Sequence, residues 1–233
     1  MNLENINWEK EYNKFIEYLF SLQDIKYKEF HFKLLNNDKI NLIGIRTPIL
    51  KKFSKEISKG NYGKFIENNK HKYYEEIILH GLLIGNLKDI NLLDEFLKYI
   101  NNWAINDIVA SNMKYFKYNQ EEGIVYIKKY ILNSNPWIVR FGYVLLLDYY
   151  VNDTYIDEVI NLIKCVKSDD YYVNMAVAWL ISVCFIKYKD KIIDLFNENK
   201  LNKFIINKSI SKINDSNRVS KSDKDLMKKY KMD

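Results

Sequence analysis

Trp103 and Asp107 stand four residues apart in NNWAINDIVASNMK, residues 101–114, a stretch with helical apolar spacing. One helical turn sends the indole and the carboxylate out of the same face. An aromatic face beside an anion suits a flat, positively charged ligand, held by cation–π contact and by charge. Two further residues carry chemistry of their own. Arg140, in NPWIVRFGYVLL, lies in a segment that is apolar nearly all round, so its guanidinium needs an anion. A backbone phosphate bound bidentately would serve, and so would a buried carboxylate such as Asp107 or Asp148. Trp179, in MAVAWLISV, belongs to an equally apolar segment, where an indole is either core or one wall of a cleft. Each residue alone also has a plain structural reading: core, cap or salt bridge.

The elements that must position these side chains read as helices. Gly totals 7 and Pro only 2 in 233 residues, too few for a sheet-rich chain with many tight turns. Apolar spacing predicts helices over about 7–20, 25–35 and from Thr47 onward, with Thr47 as N-cap and Pro48 as first helical residue. The composition of NNDKIN, residues 36–41, marks a loop. Further helices are expected over 72–87, 91–100, 103–115, 120–132 and 154–165, with Asn135 and Pro136 capping another. A long buried helix runs from Asp170 to about Tyr188, and three shorter ones close the chain. About a dozen helices and no convincing strand indicate an all-α fold. The tryptophans at 103, 137 and 179 suggest a degenerate two-helix repeat. A curved HEAT-like α-solenoid forming one domain over 1–233 fits best, with one concave surface for a ligand.

The net charge of +6 tilts the chain mildly towards polyanions. Only Arg46, Arg140 and Arg218 are arginines among 36 basic residues, in a chain rich in Lys, Asn, Ile and Tyr, so the arginines carry more information than the lysines. Arg46 precedes a helix whose outer face bears Lys51, Lys52 and Lys55, a candidate DNA-binding strip or a simple solvated face. Cys165, Cys184, His31, His71 and His80 form no metal-ligand spacing, which points to a reducing cytoplasm and to no metal centre. The first fifteen residues lack the apolar core of a signal peptide. The most apolar run, 171–186, is shorter than the ~20 residues of a membrane span. Nothing in the pattern asks for an obligate dimer, so a monomer is expected.

GIRTPILKKF, NNWAINDIV, NPWIVRFGYVLL and MAVAWLISV, in this order, resemble segments of the AlkD-type DNA alkylation repair proteins, HEAT-like-repeat DNA glycosylases. The resemblance spans roughly residues 25–215. It implies release of cationic alkylated purines such as 3-methyladenine and 7-methylguanine from double-stranded DNA. It also implies roles: Asp107 as the catalytic carboxylate, Trp103 and Trp179 as cleft tryptophans, and Arg140 as the active-site arginine. After Trp179 the chain departs from the family's W-x-x-R-E-Y pattern, because Leu180–Cys184 holds neither that arginine nor that glutamate.

The chemistry agrees with these roles. An alkylated purine is already a cation, and breaking its glycosidic bond moves positive charge onto the sugar, as in glycosidases. A fixed carboxylate near that sugar stabilises the charge and orients water. Indole faces hold the cation, Arg140 suits a phosphate, and no cofactor is required. Two other readings remain open: a non-catalytic relative that binds branched or damaged DNA, and a protein-binding helical scaffold.

Overall fold

The computed structural model describes residues 1–35 and 39–232. Among them every regular element is helical, fifteen α-helices and one 3₁₀ turn, with no strand. Of the expected loop at 36–41, residues 36–38 lie outside the described residues and 39–41 are non-helical. No described helix is long and apolar enough to cross a membrane. The chain divides into two compact units, Met1–Tyr118 and Asn119–Asp233.

Unit 1 contains α1 (Trp8–Ser21), α2 (Ile25–Leu35), α3 (Thr47–Ile57), α4 (Tyr62–Asn68), α5 (Tyr74–Leu87), α6 (Asn91–Phe96), α7 (Trp103–Ala110) and α8 (Tyr115–Tyr118). Trp8, Tyr12, Phe15 and Phe65 interlock edge to face where α1 meets α4. Helix α5 is the centre of the unit. It packs on α3, α6 and α7, and it is buried from Tyr74 to Gly85. Gly81 permits the close approach of α7: a Cβ there would stand 2.4 Å from Val109 Cγ2 and 2.8 Å from Phe96 Cζ. Gly81→Ala should therefore destabilise the protein by about 1–3 kcal/mol, the usual result of overpacking. Urea unfolding checks this, and an unchanged midpoint would contradict the close packing.

The sequence reading placed the start of α3 one residue late. Arg46 is the N-cap and Thr47 is already helical. The Thr47 hydroxyl bonds the Tyr27 phenol instead of capping its own helix. The expected helix over 103–115 also ends sooner, at Ala110, and a single turn at 115–118 follows it.

His71 Nε2 and His80 Nδ1 lie 2.8 Å apart, with His71 stacked on Tyr99 at 3.6 Å. Such a contact needs one ring to donate and the other to accept, so the accepting imidazole is neutral. Burial and the neighbouring Lys98 push His71 down to about 4. Burial, His71 and Lys98 push His80 down to about 3. Unfolded imidazoles titrate near 6.5. Between the folded and unfolded values the unfolded chain binds more protons, so stability falls as pH drops from about 6.5 towards 3. Urea midpoints should decline steadily from pH 7 to pH 5, and His71→Phe should flatten that decline.

Unit 2 contains α9 (Gln120–Ile131), α10 (Pro136–Tyr149), α11 (Ile156–Lys164), α12 (Tyr171–Lys187), α13 (Lys189–Asn197), α14 (Lys203–Asp215) and α15 (Lys221–Lys228). Helix α10 packs on α9 and α12, and α12 packs on α13 and α14. Tyr171 meets Phe204 at the first turns of α12 and α14, and Trp179 meets Lys212 in their middles. These two helices therefore run side by side in the same direction, as stacked repeats do.

A repeat register is present, although the tryptophans only half mark it. Asn102, Asn135, Asp170 and Asn202 each cap a helix by accepting backbone N–H bonds from the first turn. They stand 33, 35 and 32 residues apart. An aromatic residue follows each cap within two positions: Trp103, Trp137, Tyr171 with Tyr172, and Phe204. Trp179 falls in mid-helix and lies outside this register.

Candidate active site

Helix α7 presents the sequence-derived pair. Asn102 Oδ1 accepts from Ala104 N and Ile105 N, both at 3.0 Å, which fixes where the helix begins. Trp103 opens the helix and Asp107 follows one turn later. Both side chains are half-buried, while Ala104, Ile105 and Asn106 between them are fully buried. The pair thus projects from a rigid, anchored helix.

The same unit holds a group of side chains that the sequence reading did not single out, of which Tyr74 feels the charge of Asp107. Tyr74, the first residue of α5, is buried, and its hydroxyl lies 3.1 Å from His31 Nε2. Burial above all, with the charges of Tyr27, Glu75 and Asp107, holds the Tyr74 phenol far above its ordinary value. Burial lowers His31. At neutral pH this phenol–imidazole pair is uncharged. His31 stacks on Tyr27, whose ring centroids are 5.3 Å apart at 15°. The Arg46 guanidinium lies over Tyr27 at 5.1 Å and pairs with Asp24 through Nε at 3.0 Å and Nη2 at 2.9 Å. A continuous array thus runs from exposed Arg46 through Tyr27 and His31 to Tyr74, near Asp107.

A buried carboxylate holds this array in place. Glu75 accepts from the backbone N–H groups of Ile43 (2.9 Å), Gly44 (2.6 Å) and Ile45 (3.1 Å). Burial raises its pKa and these three bonds oppose the rise. Gly44 has φ of +106°, and a Cβ there would meet Lys28 Cβ at 2.7 Å, so only glycine fits this turn. The strap ends at Arg46 and so positions the start of α3. Along α3, Lys51, Lys52 and Lys55 are exposed, with Lys52 3.9 Å from Glu56.

The other two predicted residues belong to unit 2. Arg140 is 5% exposed, and its Nη1 donates to the Tyr172 carbonyl at 2.6 Å, which ties α10 to the first turn of α12. Trp179 is half-buried, with the Lys212 ammonium 5.9 Å from its ring centroid. A cation already lies against that indole. Leu180, Ile181 and Cys184, which follow it, have no exposed surface. They belong to the core of unit 2, and that accounts physically for the absence of charged residues there.

Sequence reasoning missed Tyr27, His31, Tyr74 and Glu75. One signal was available: Glu75 and Glu76 open the otherwise apolar helix KYYEEIILHG, and a helix so apolar buries its first turn too. Among the described residues no cluster of three or more His, Cys, Asp or Glu is arranged to hold a metal.

A search of curated proteins returns no match for this chain. A family model described as DNA alkylation repair enzyme matches residues 16–213, a span that takes in Trp103, Asp107, Arg140 and Trp179. Over most of its length, therefore, the chain belongs to the DNA alkylation repair enzyme family.

Proposed function

We propose that this protein is a monofunctional alkylpurine DNA glycosylase acting on cationic 3-methyladenine and 7-methylguanine in duplex DNA. Family membership points to DNA repair and to a DNA partner. The observation that carries the finer reading is the Trp103–Asp107 pair on one face of a capped helix, with a carboxylate beside uncharged Tyr74 and His31. In this reading the carboxylate faces the sugar as the glycosidic bond lengthens. It stabilises the growing positive charge and orients the attacking water. The departing purine is neutralised by bond cleavage itself, so it needs no general acid. Trp103 offers its indole face to the cationic nucleoside. Arg46, Lys51, Lys52 and Lys55 serve the phosphates. The family match runs through both units, which supports treating 1–233 as one functional domain.

The apolar residues after Trp179 favour a second reading, a relative that binds DNA without excising bases. Incubating the protein with methylated duplex DNA and measuring free 3-methyladenine and 7-methylguanine separates the two. Enzyme-dependent release supports the glycosylase. Salt-dependent duplex binding without release supports the second reading. Absence of both would leave a helical scaffold.

A further inference from the structure

Unit 2 contains a recess that none of the residues discussed as catalytic lines. Its walls are Asp169, Tyr171, Asn174, Asn202, Lys203 and Phe204, and its volume is about 340 Å³. That is at the small end of the range for sites that hold an organic ligand. The recess opens where the first turns of α12 and α14 lie side by side.

Three observations indicate what it takes. First, Asn174 lines the recess, is only 5% exposed, and its Oδ1 has no hydrogen-bond partner. An unpaired buried amide oxygen costs free energy, and a small turn of the Asn174 side chain towards the recess would bring it to a ligand donor. Second, Tyr171 is 53% exposed and meets Phe204 edge to face at 5.6 Å. These rings continue an aromatic row that runs from Trp137 to Tyr172 at 4.9 Å and from Tyr172 to Tyr171 at 5.2 Å. Third, a second recess of about 520 Å³ shares Lys203 and Phe204 and continues along α14 past Asn207, Lys208 and Ser211. An exposed ring to stack on, an open amide at depth and a lysine-bearing track leading away match the three parts of a nucleotide: base face, base edge and phosphate.

We propose that this recess binds one unpaired nucleotide of a DNA strand. Its base lies against Tyr171 and Phe204, an exocyclic amine of the base donates to Asn174, and the adjoining phosphates follow Lys203 and Lys208 along α14. Asp169 at the rim selects against free phosphate and favours a ligand with N–H donors. The inference rests on the reading of the chain as a DNA-binding repair protein.

The test compares a duplex carrying a single-nucleotide bulge with the same duplex fully paired, by fluorescence anisotropy with the full chain. Wild type should bind the bulged duplex more tightly. Stacking of one base is worth about 1–3 kcal/mol, so Tyr171→Ala should weaken bulge binding roughly 5- to 150-fold and leave the paired duplex unaffected. Asn174→Leu should weaken bulge binding too while raising the thermal midpoint, because it removes an unsatisfied buried atom. A merely structural asparagine would not split in that way. Paired and bulged duplexes bound equally well, or variants that lose affinity for both alike, would overturn this site and leave DNA binding standing. Failure to bind either duplex would overturn the DNA reading itself, and this site with it.

Discussion

Asp107→Asn is expected to lower the rate of 3-methyladenine release by about 100- to 1,000-fold, the loss typical when one preorganised electrostatic group is removed from an active site. The substitution keeps shape and removes charge. Helix α7 is held by the Asn102 cap and by buried Ala104, Ile105 and Val109, none of which involves the carboxylate. The affinity for undamaged duplex should therefore stay close to wild type. Tyr74 should remain an un-ionised phenol, because burial is the main cause of its raised value. A variant as active as wild type would take Asp107 out of the chemistry. A variant that is inactive and also unfolds early would instead make the carboxylate structural. The measurement is single-turnover base release from methylated duplex, beside a melting curve.

The second large effect concerns stability. Glu75→Ala should destabilise the protein by about 3–5 kcal/mol, because it strands the three buried N–H groups of Ile43, Gly44 and Ile45. For a chain of this length that corresponds to a fall in melting temperature of roughly 10 °C. Glu75→Gln should fall between the two. Its single carbonyl oxygen can keep the two bonds now made to Oε1, and its amide NH₂ meets the Ile43 N–H donor unfavourably. An alanine variant that melts within two degrees of wild type would show that water replaces the carboxylate at little cost. Base release should weaken as well, since the strap leads to Arg46 and to the Tyr27–His31–Tyr74 array.

These two residues differ in how far the sequence discloses them. The Trp103–Asp107 pair is local: spacing alone puts both on one face, and the cap Asn102 immediately precedes them. The same holds for Asn135 with Pro136 and for Asp170, whose helices begin where their caps predict. Glu75 is the opposite case. Its partners lie 30 to 32 residues earlier in an irregular strap, and no periodicity reports on contacts of that kind. Thr47 misled for a related reason. Its hydroxyl had a tertiary partner in Tyr27, so the capping position moved to Arg46. Tyr74 and His31 fall within two of the expected helices, but nothing local marks them as neighbours of one another. The tryptophan spacing gave a repeat of about the right period. The marker that recurs, however, is a polar cap followed by any aromatic ring, which a search for one residue type overlooks.

That recurring marker bears on how the chain tolerates changes of length. In an α-helix each added residue turns everything after it by about 100°. An insertion would therefore rotate downstream faces out of alignment if phase were carried continuously along the chain. Here Asn102, Asn135, Asp170 and Asn202 each restart the count, because the helix begins where the cap accepts its N–H bonds. A residue gained or lost at 133–134 or 166–168 alters a loop, and the next helix still presents the same face. Drift in loop length is thus erased once per repeat, which leaves those segments free to vary while Asp107, Arg140 and Trp179 keep their bearings.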